Sequence, residues 1–106
     1  MSKRWEEAEN AYLKAIELNP EEPEYYYLLA EIYQGNKDYE KAARYSLQAV
    51  QLAAESFDSE NSEYISILID ACKKIEKRDL AESFLRQALN SDPENEKVIE
   101  AIKSLK

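Results

Sequence analysis

Apolar positions recur every three or four residues along most of the chain, the spacing of one face of a helix. Leu28, Leu29, Ile32 and Tyr33 mark such a face before Gly35, and Ala42, Ala43, Leu47, Ala49 and Val50 mark another after Asp38. The pattern predicts six helices. Helix one runs from Lys3 to Leu18, and Asn19 to Glu22 form a turn. Pro23 suits a first helical position, where its missing N–H costs nothing. Helix two follows over Glu24 to Gln34, with Glu21, Glu22 and Glu24 near its positive end. Gly35 and Asn36 are expected to take the left-handed conformation that closes it. Asp38 is the expected N-cap of helix three. That helix is expected to pass Ala54 and stop near Phe57, with Asp58 to Ser62 as a longer connection.

Asn61 or Ser62 is the expected cap of helix four, whose apolar residues are Tyr64, Ile65, Leu68, Ile69, Cys72 and Ile75. Ile65, Ile67, Leu68 and Ile69 taken alone also suit a strand, and only the wider repeat decides for helix. Helix five follows Arg78, with Asp79 and Glu82 in its first turn. Asp92 and Pro93 begin the last connection. Val98, Ile99, Ile102 and Leu105 then give helix six one apolar stripe, while Lys97, Glu100, Lys103 and Lys106 are expected to face water.

The pattern repeats. Ala8, Tyr12, Ala15 and Pro20 are separated by steps of 4, 3 and 5 residues, and Ala81, Leu85, Ala88 and Pro93 by the same steps. The middle copy is Ala42, Ser46, Ala49 and Ala54. Ala8 and Ala42 lie 34 residues apart, and Ala42 and Ala81 lie 39 apart, so the second interval carries five extra residues. Small residues at this spacing share one helix face and let a neighbouring helix come close. Proline then ends the helix, lacking an N–H and clashing with the preceding turn.

These residues resemble the tetratricopeptide repeat, a helix–turn–helix unit of 34 residues. Leu29, Ala30 and Tyr33 look like its first-helix signature, with Tyr26 where a tryptophan is common, and Asp38 and Tyr39 look like its turn. Trp5 stands 34 residues before Tyr39 and matches it one copy earlier. The departures are Ser46 for the usual aromatic, Ala54 for the closing proline, and Arg78 where Trp5 and Tyr39 stand in the other copies. The resemblance implies an all-α fold, a right-handed stack of antiparallel helix pairs. The whole chain reads as one domain: a half repeat over 1–20, full repeats over 23–57 and 60–93, and a capping helix over 94–106. A polar outer face suits the end of such a stack.

Composition narrows the function. The chain has 106 residues, one glycine, three prolines and no histidine, with a formal net charge of −8. Such an acidic chain repels nucleic acid and anionic membranes and tolerates basic partners. Lacking histidine, it lacks the commonest general base and metal ligand. Cys72, the single cysteine, allows no internal disulfide and suits a reducing compartment. No signal peptide or membrane span is read from the sequence. The expectation is a cytoplasmic protein that is not an enzyme and needs no cofactor or metal.

Cys72 reads as a packing residue on an apolar face, and Glu31 and Asp70, matched on successive first helices, lie too far apart to share a proton. By the resemblance, the concave wall comes from the first helix of each pair. Here it presents Glu24, Tyr27, Leu28 and Glu31 from helix two, and Glu63, Ser66, Ile67, Asp70 and Lys74 from helix four. Some family members hold a peptide's C-terminal carboxylate there with lysine, arginine and asparagine. Tyr27, Glu31, Ser66 and Asp70 occupy those places, so that clamp is absent. The wall reads as a groove for a protein or peptide of basic or mixed charge with an aromatic or aliphatic anchor, the alternative being a solvated acidic face of a spacer. Tyr26, Tyr33 and Tyr39 read as core, and Tyr25 and Tyr27 as contact residues. A second reading is self-assembly. Helix one lacks a neighbour before it, so Trp5, Leu13 and Ile16 are expected to form a homodimer edge, a cut surface of a longer solenoid, or a surface that Trp5 seals by folding over helix two.

Overall fold

In a computed structural model, residues 3–55 and 61–105 are described. They form six helices: α1 (Lys3–Leu18), α2 (Pro23–Gly35), α3 (Tyr39–Glu55), α4 (Asn61–Lys74), α5 (Arg78–Ser91) and α6 (Glu96–Ser104). No strand occurs among the described residues. The isoleucine run of α4 is therefore helical, with Ile65, Ile67 and Leu68 buried. The expected end of α3 near Phe57, and most of the connection after it, lie outside the described residues.

Local chemistry sets the boundaries. Pro23 opens α2 behind Glu22, whose carboxylate accepts from the Glu24 N–H at 3.4 Å. Asp38 caps α3 by accepting from the Lys41 N–H at 3.3 Å. Asn95 caps α6 by accepting from the Val98 N–H at 3.2 Å, while its own amide donates to Asp92 at 3.1 Å. The close of α2 differs from the expectation. Gly35 is the last helical residue and Asn36 has φ −90°, so neither is left-handed. Lys37 is, with φ 65°. The Lys37 N–H donates to Gln34 O at 3.0 Å and the Asp38 N–H to Tyr33 O at 2.9 Å. That hydrogen-bond pair is a Schellman motif, which requires the left-handed residue one place past the cap. The length of α2 puts Lys37 there, not the glycine.

The helices form two layers. α2, α4 and α6 lie side by side in one, and α3 and α5 in the other. α3 is the centre of the stack, packing on α2, α4 and α5. Its Ala42, Ala49 and Ala53 are fully buried, as are Ala81 and Ala88 at the matching places on α5. Ser46, at the place where the resembled repeat usually has an aromatic, is buried. Its hydroxyl donates to the carbonyls of Ala42 and Ala43, at 2.7 and 3.1 Å, so it satisfies itself within its own helix.

α1 departs from this regularity, packing on α2 and not on α3. The Trp5 indole N–H donates to Ile32 O at 3.0 Å, and its ring meets Tyr33 edge-on at 5.8 Å. Tyr33 also donates its hydroxyl to Glu9. Tyr45 of α3 stacks against both Tyr33 and Tyr26, at 5.4 and 6.4 Å. An aromatic ladder thus joins the first three helices. The Trp5 indole is thus folded onto α2. Ile16 also packs against the core, and the exposed large apolar side chains at this end are Leu13 and Leu18.

Candidate functional site

The layer of α2, α4 and α6 carries a hollow of about 610 Å³. Tyr27, Glu31 and Gln34 line it from α2; Ser62, Glu63, Ser66, Ile67 and Asp70 from α4; Lys97 from α6. Helical spacing explains the set. Positions three, four and seven apart face one way, as Tyr27, Glu31 and Gln34 do, and as Glu63, Ser66, Ile67 and Asp70 do. Ile67 is the floor, only 7% exposed. Gln34 donates to Asp70 at 3.1 Å and ties α2 to α4 across the hollow.

Most of the wall expected from the sequence is brought together here. Glu24 and Leu28 lie outside the hollow, and so does Lys74. The Lys74 ammonium sits 5.4 Å over the ring of Tyr39, at the junction of the two inter-helix turns. Tyr39 is accordingly half-buried, whereas Tyr26 and Tyr33 are core. Tyr27 is half-buried, with its ring 5.0 Å from that of Tyr64.

Two contributors escaped the sequence reading, Gln34 and the whole of α6. Lys97 enters the hollow, and a second depression of about 600 Å³ continues from it between α4 and α6. Ser66, Asp70 and Lys97 border both, and Lys73, Glu96 and Glu100 line the second. A signal existed. Lys97 lies 34 residues after Glu63, and Glu100 the same distance after Ser66. Treating helix six only as a cap hid that register.

The hollow is electrostatically negative at its α2–α4 end. Burial raises the Tyr27 hydroxyl above its ordinary value, and the carboxylates of Glu31 and Glu63 raise it further. Those two charges converge on one phenol, with Asp70 beside them. Cys72 lies beneath α4, away from the hollow, and burial alone pushes its thiol up to about 12. A thiol so placed is not a nucleophile at neutral pH. Among the described residues no three acidic or thiol side chains group as a metal site, and no helix is long and apolar enough to cross a membrane.

The sequence model of the tetratricopeptide repeat matches residues 11–44. That span runs from the middle of α1 through α2 into α3. The fold is similar to that of the N-terminal domain of stress-induced protein-1 (STI-1) from C. elegans, with a TM-score of 0.61 and 23% identity. The match covers 89% of this chain and 75% of that one. A search among curated proteins gives no match. The match over residues 11–44 and the similar fold agree with the resemblance to the tetratricopeptide repeat, and the described residues form an all-α stack of helix pairs. Such repeats serve protein–protein interaction, using the extended surfaces of stacked helices.

Proposed function

We propose that this protein binds an exposed segment of another protein in the hollow between α2, α4 and α6, and that the segment places a lysine or arginine beside Tyr27. The observation that carries this reading is that Tyr27, Glu31 and Glu63 line the same hollow, so that both carboxylates act on the Tyr27 hydroxyl. An incoming cation finds two carboxylates and an aromatic face there, a setting that favours it over a neutral side chain. The half-buried Tyr27 ring, with Ile67 at the floor, supplies the apolar surface for a flanking residue. The net charge of −8 supports a basic or mixed-charge partner and disfavours nucleic acid and anionic membranes. The role is scaffolding, without catalysis, and the reduced, buried Cys72 suits the cytoplasm.

The test is a titration of labelled peptides in rising salt. A lysine-containing peptide with a neighbouring aliphatic residue is expected to bind, and to weaken as salt screens the exposed carboxylates. Glu31→Lys with Asp70→Lys is expected to weaken it further. Tighter binding of an acidic peptide with a free C-terminal carboxylate would overturn the reading.

A further inference from the structure

The outer face of α1 carries a second pattern, away from the hollow. Arg4, Ala8, Ala11, Ala15 and Leu18 follow one another by 4, 3, 4 and 3 residues. That is the seam of a coiled coil, two positions per heptad on one side of the helix. Trp5, Tyr12 and Ile16 lie on the neighbouring face and pack against the core. The structure leaves this seam open. Leu18 is 81% exposed, Arg4 and Ala11 are exposed, and Ala8 and Ala15 are only half-buried.

The same positions one copy later show what such a seam is for. Counting 34 residues on, Ala8, Ala11, Ala15 and Leu18 become Ala42, Tyr45, Ala49 and Leu52 of α3. There both alanines are fully buried, and the Tyr45 ring stacks on Tyr26 and Tyr33 of α2. This face of the second helix in a pair is the one another helix covers. On α1 no described helix does so, because α1 packs on α2 through the neighbouring face that carries Trp5, Tyr12 and Ile16.

We infer that the seam of α1 pairs with the seam of a second copy of this chain, antiparallel across a two-fold axis at Ala11. Charge selects that partner and that direction. Glu7 and Lys14 are exposed and border the seam on the same side, one heptad apart. In an antiparallel pair centred on Ala11, Glu7 of each copy faces Lys14 of the other, so two opposite-charge contacts form at once. Ala8 faces Ala15 and Ala11 faces itself, which lets the two helices close tightly. Arg4 lies over Leu18 of the other copy, its aliphatic stem on the leucine and its guanidinium in water. One self-complementary patch meeting itself is the commonest way homodimers close. The seam is narrow and rich in alanine, so the dimer is weak and forms with rising concentration. It leaves the hollow of α2, α4 and α6 free.

Sedimentation equilibrium from the low micromolar to the submillimolar range tests this. The average mass is expected to climb from one chain toward two. Leu18→Glu, at an exposed site that leaves folding intact by circular dichroism, is expected to hold the chain monomeric. Glu7→Lys and Lys14→Glu are each expected to weaken association, and the two together to restore it. Ala11→Cys is expected to oxidise to a disulfide-linked dimer, since that residue meets itself at the axis, while buried Cys72 stays free. A single-chain mass at every concentration would overturn the inference, as would a charge swap that fails to restore association. Peptide binding in the hollow is a separate readout, which Leu18→Glu leaves unchanged.

Discussion

The Tyr33 hydroxyl of α2 donates to the Glu9 carboxylate of α1. With the Trp5–Ile32 hydrogen bond beside it, this contact fastens α1 to the rest of the stack. Tyr33→Phe keeps the ring stacked on Tyr45 and removes only the hydroxyl. Glu9 is half-buried and rehydrates in part, so the cost is expected near about 1.5 kcal/mol, the low end for a bond with a charged partner. Urea denaturation reads the total, and hydrogen exchange should place the loosening in α1. An unchanged midpoint would show that Glu9 contributes nothing to holding α1.

Stability should fall on the alkaline side. Burial holds Cys72 at about 12 against an ordinary 9.0, and holds Tyr33 above its ordinary 10.0, with Glu9 adding to the shift. Both groups are neutral in the fold and ionise earlier when unfolded. Their contribution is therefore complete below pH 9.0 and is lost as pH rises toward the folded values. Each group adds a slope of at most about 1.4 kcal/mol per pH unit in its window. Cys72→Ala is less stable at neutral pH through its cavity, but should lose less between pH 9 and pH 10 than the parent. Parallel pH profiles for the two proteins would refute the assignment to Cys72.

The close of α2 supplies two substitutions of the same sign. A Cβ on Gly35 meets nothing within 4 Å, and its φ is not in the left-handed region. Gly35→Ala should stabilise by about 0.4–1 kcal/mol, by reducing the freedom of the unfolded chain. Lys37 is left-handed and exposed. Lys37→Gly relieves a strain of about 1–2 kcal/mol and loses part of it to chain entropy, for a net gain of about 0.5–1 kcal/mol. Thermal melts of both variants check this. Destabilisation by Lys37→Gly would mean that the lysine side chain holds the turn.

Helix identity and core were legible because they rest on periodicity. Ala42, Ala49, Ala81 and Ala88 were picked out as small positions, and all four are fully buried. The left-handed residue was misplaced, because glycine preference is local whereas the cap follows from how far α2 runs. Lys97 faces water as the stripe implies, but its place in the hollow is not legible from that stripe. The short α6 satisfies the amphipathic pattern of a cap, and only its register against Glu63 puts Lys97 beside α4. The place of Trp5 is not legible in the sequence because an indole can cover either surface; in the fold its N–H donates to Ile32 O, 27 residues away.

Close packing of the small positions gives a direct test of the stack. Ala49 is fully buried in α3. Ala49→Phe adds a ring where no space exists, and should cost about 1–3 kcal/mol. The same change at exposed Gln48 should cost little. Equal melting temperatures for Ala49→Phe and the parent would mean that α3 can separate from its neighbours.

Lys97 separates a local field from net charge. It is the only cation lining the hollow among the described residues, facing a wall with Glu31, Glu63 and Asp70. If a basic side chain docks beside Tyr27, Lys97 opposes it, and Lys97→Ala should tighten binding. At an exposed site one charge changes binding by about 0.2–1 kcal/mol, at most about fivefold in affinity, and less in high salt. Lys74→Ala changes the net charge equally, but Lys74 lies outside the hollow, over Tyr39. It should leave the same peptide titration almost unchanged. Equal tightening by both variants would mean that the overall charge of the protein, not the hollow, attracts the peptide. Weaker binding after Lys97→Ala would mean that Lys97 holds an anionic group of the partner, and the cation would then have to dock elsewhere than beside Tyr27.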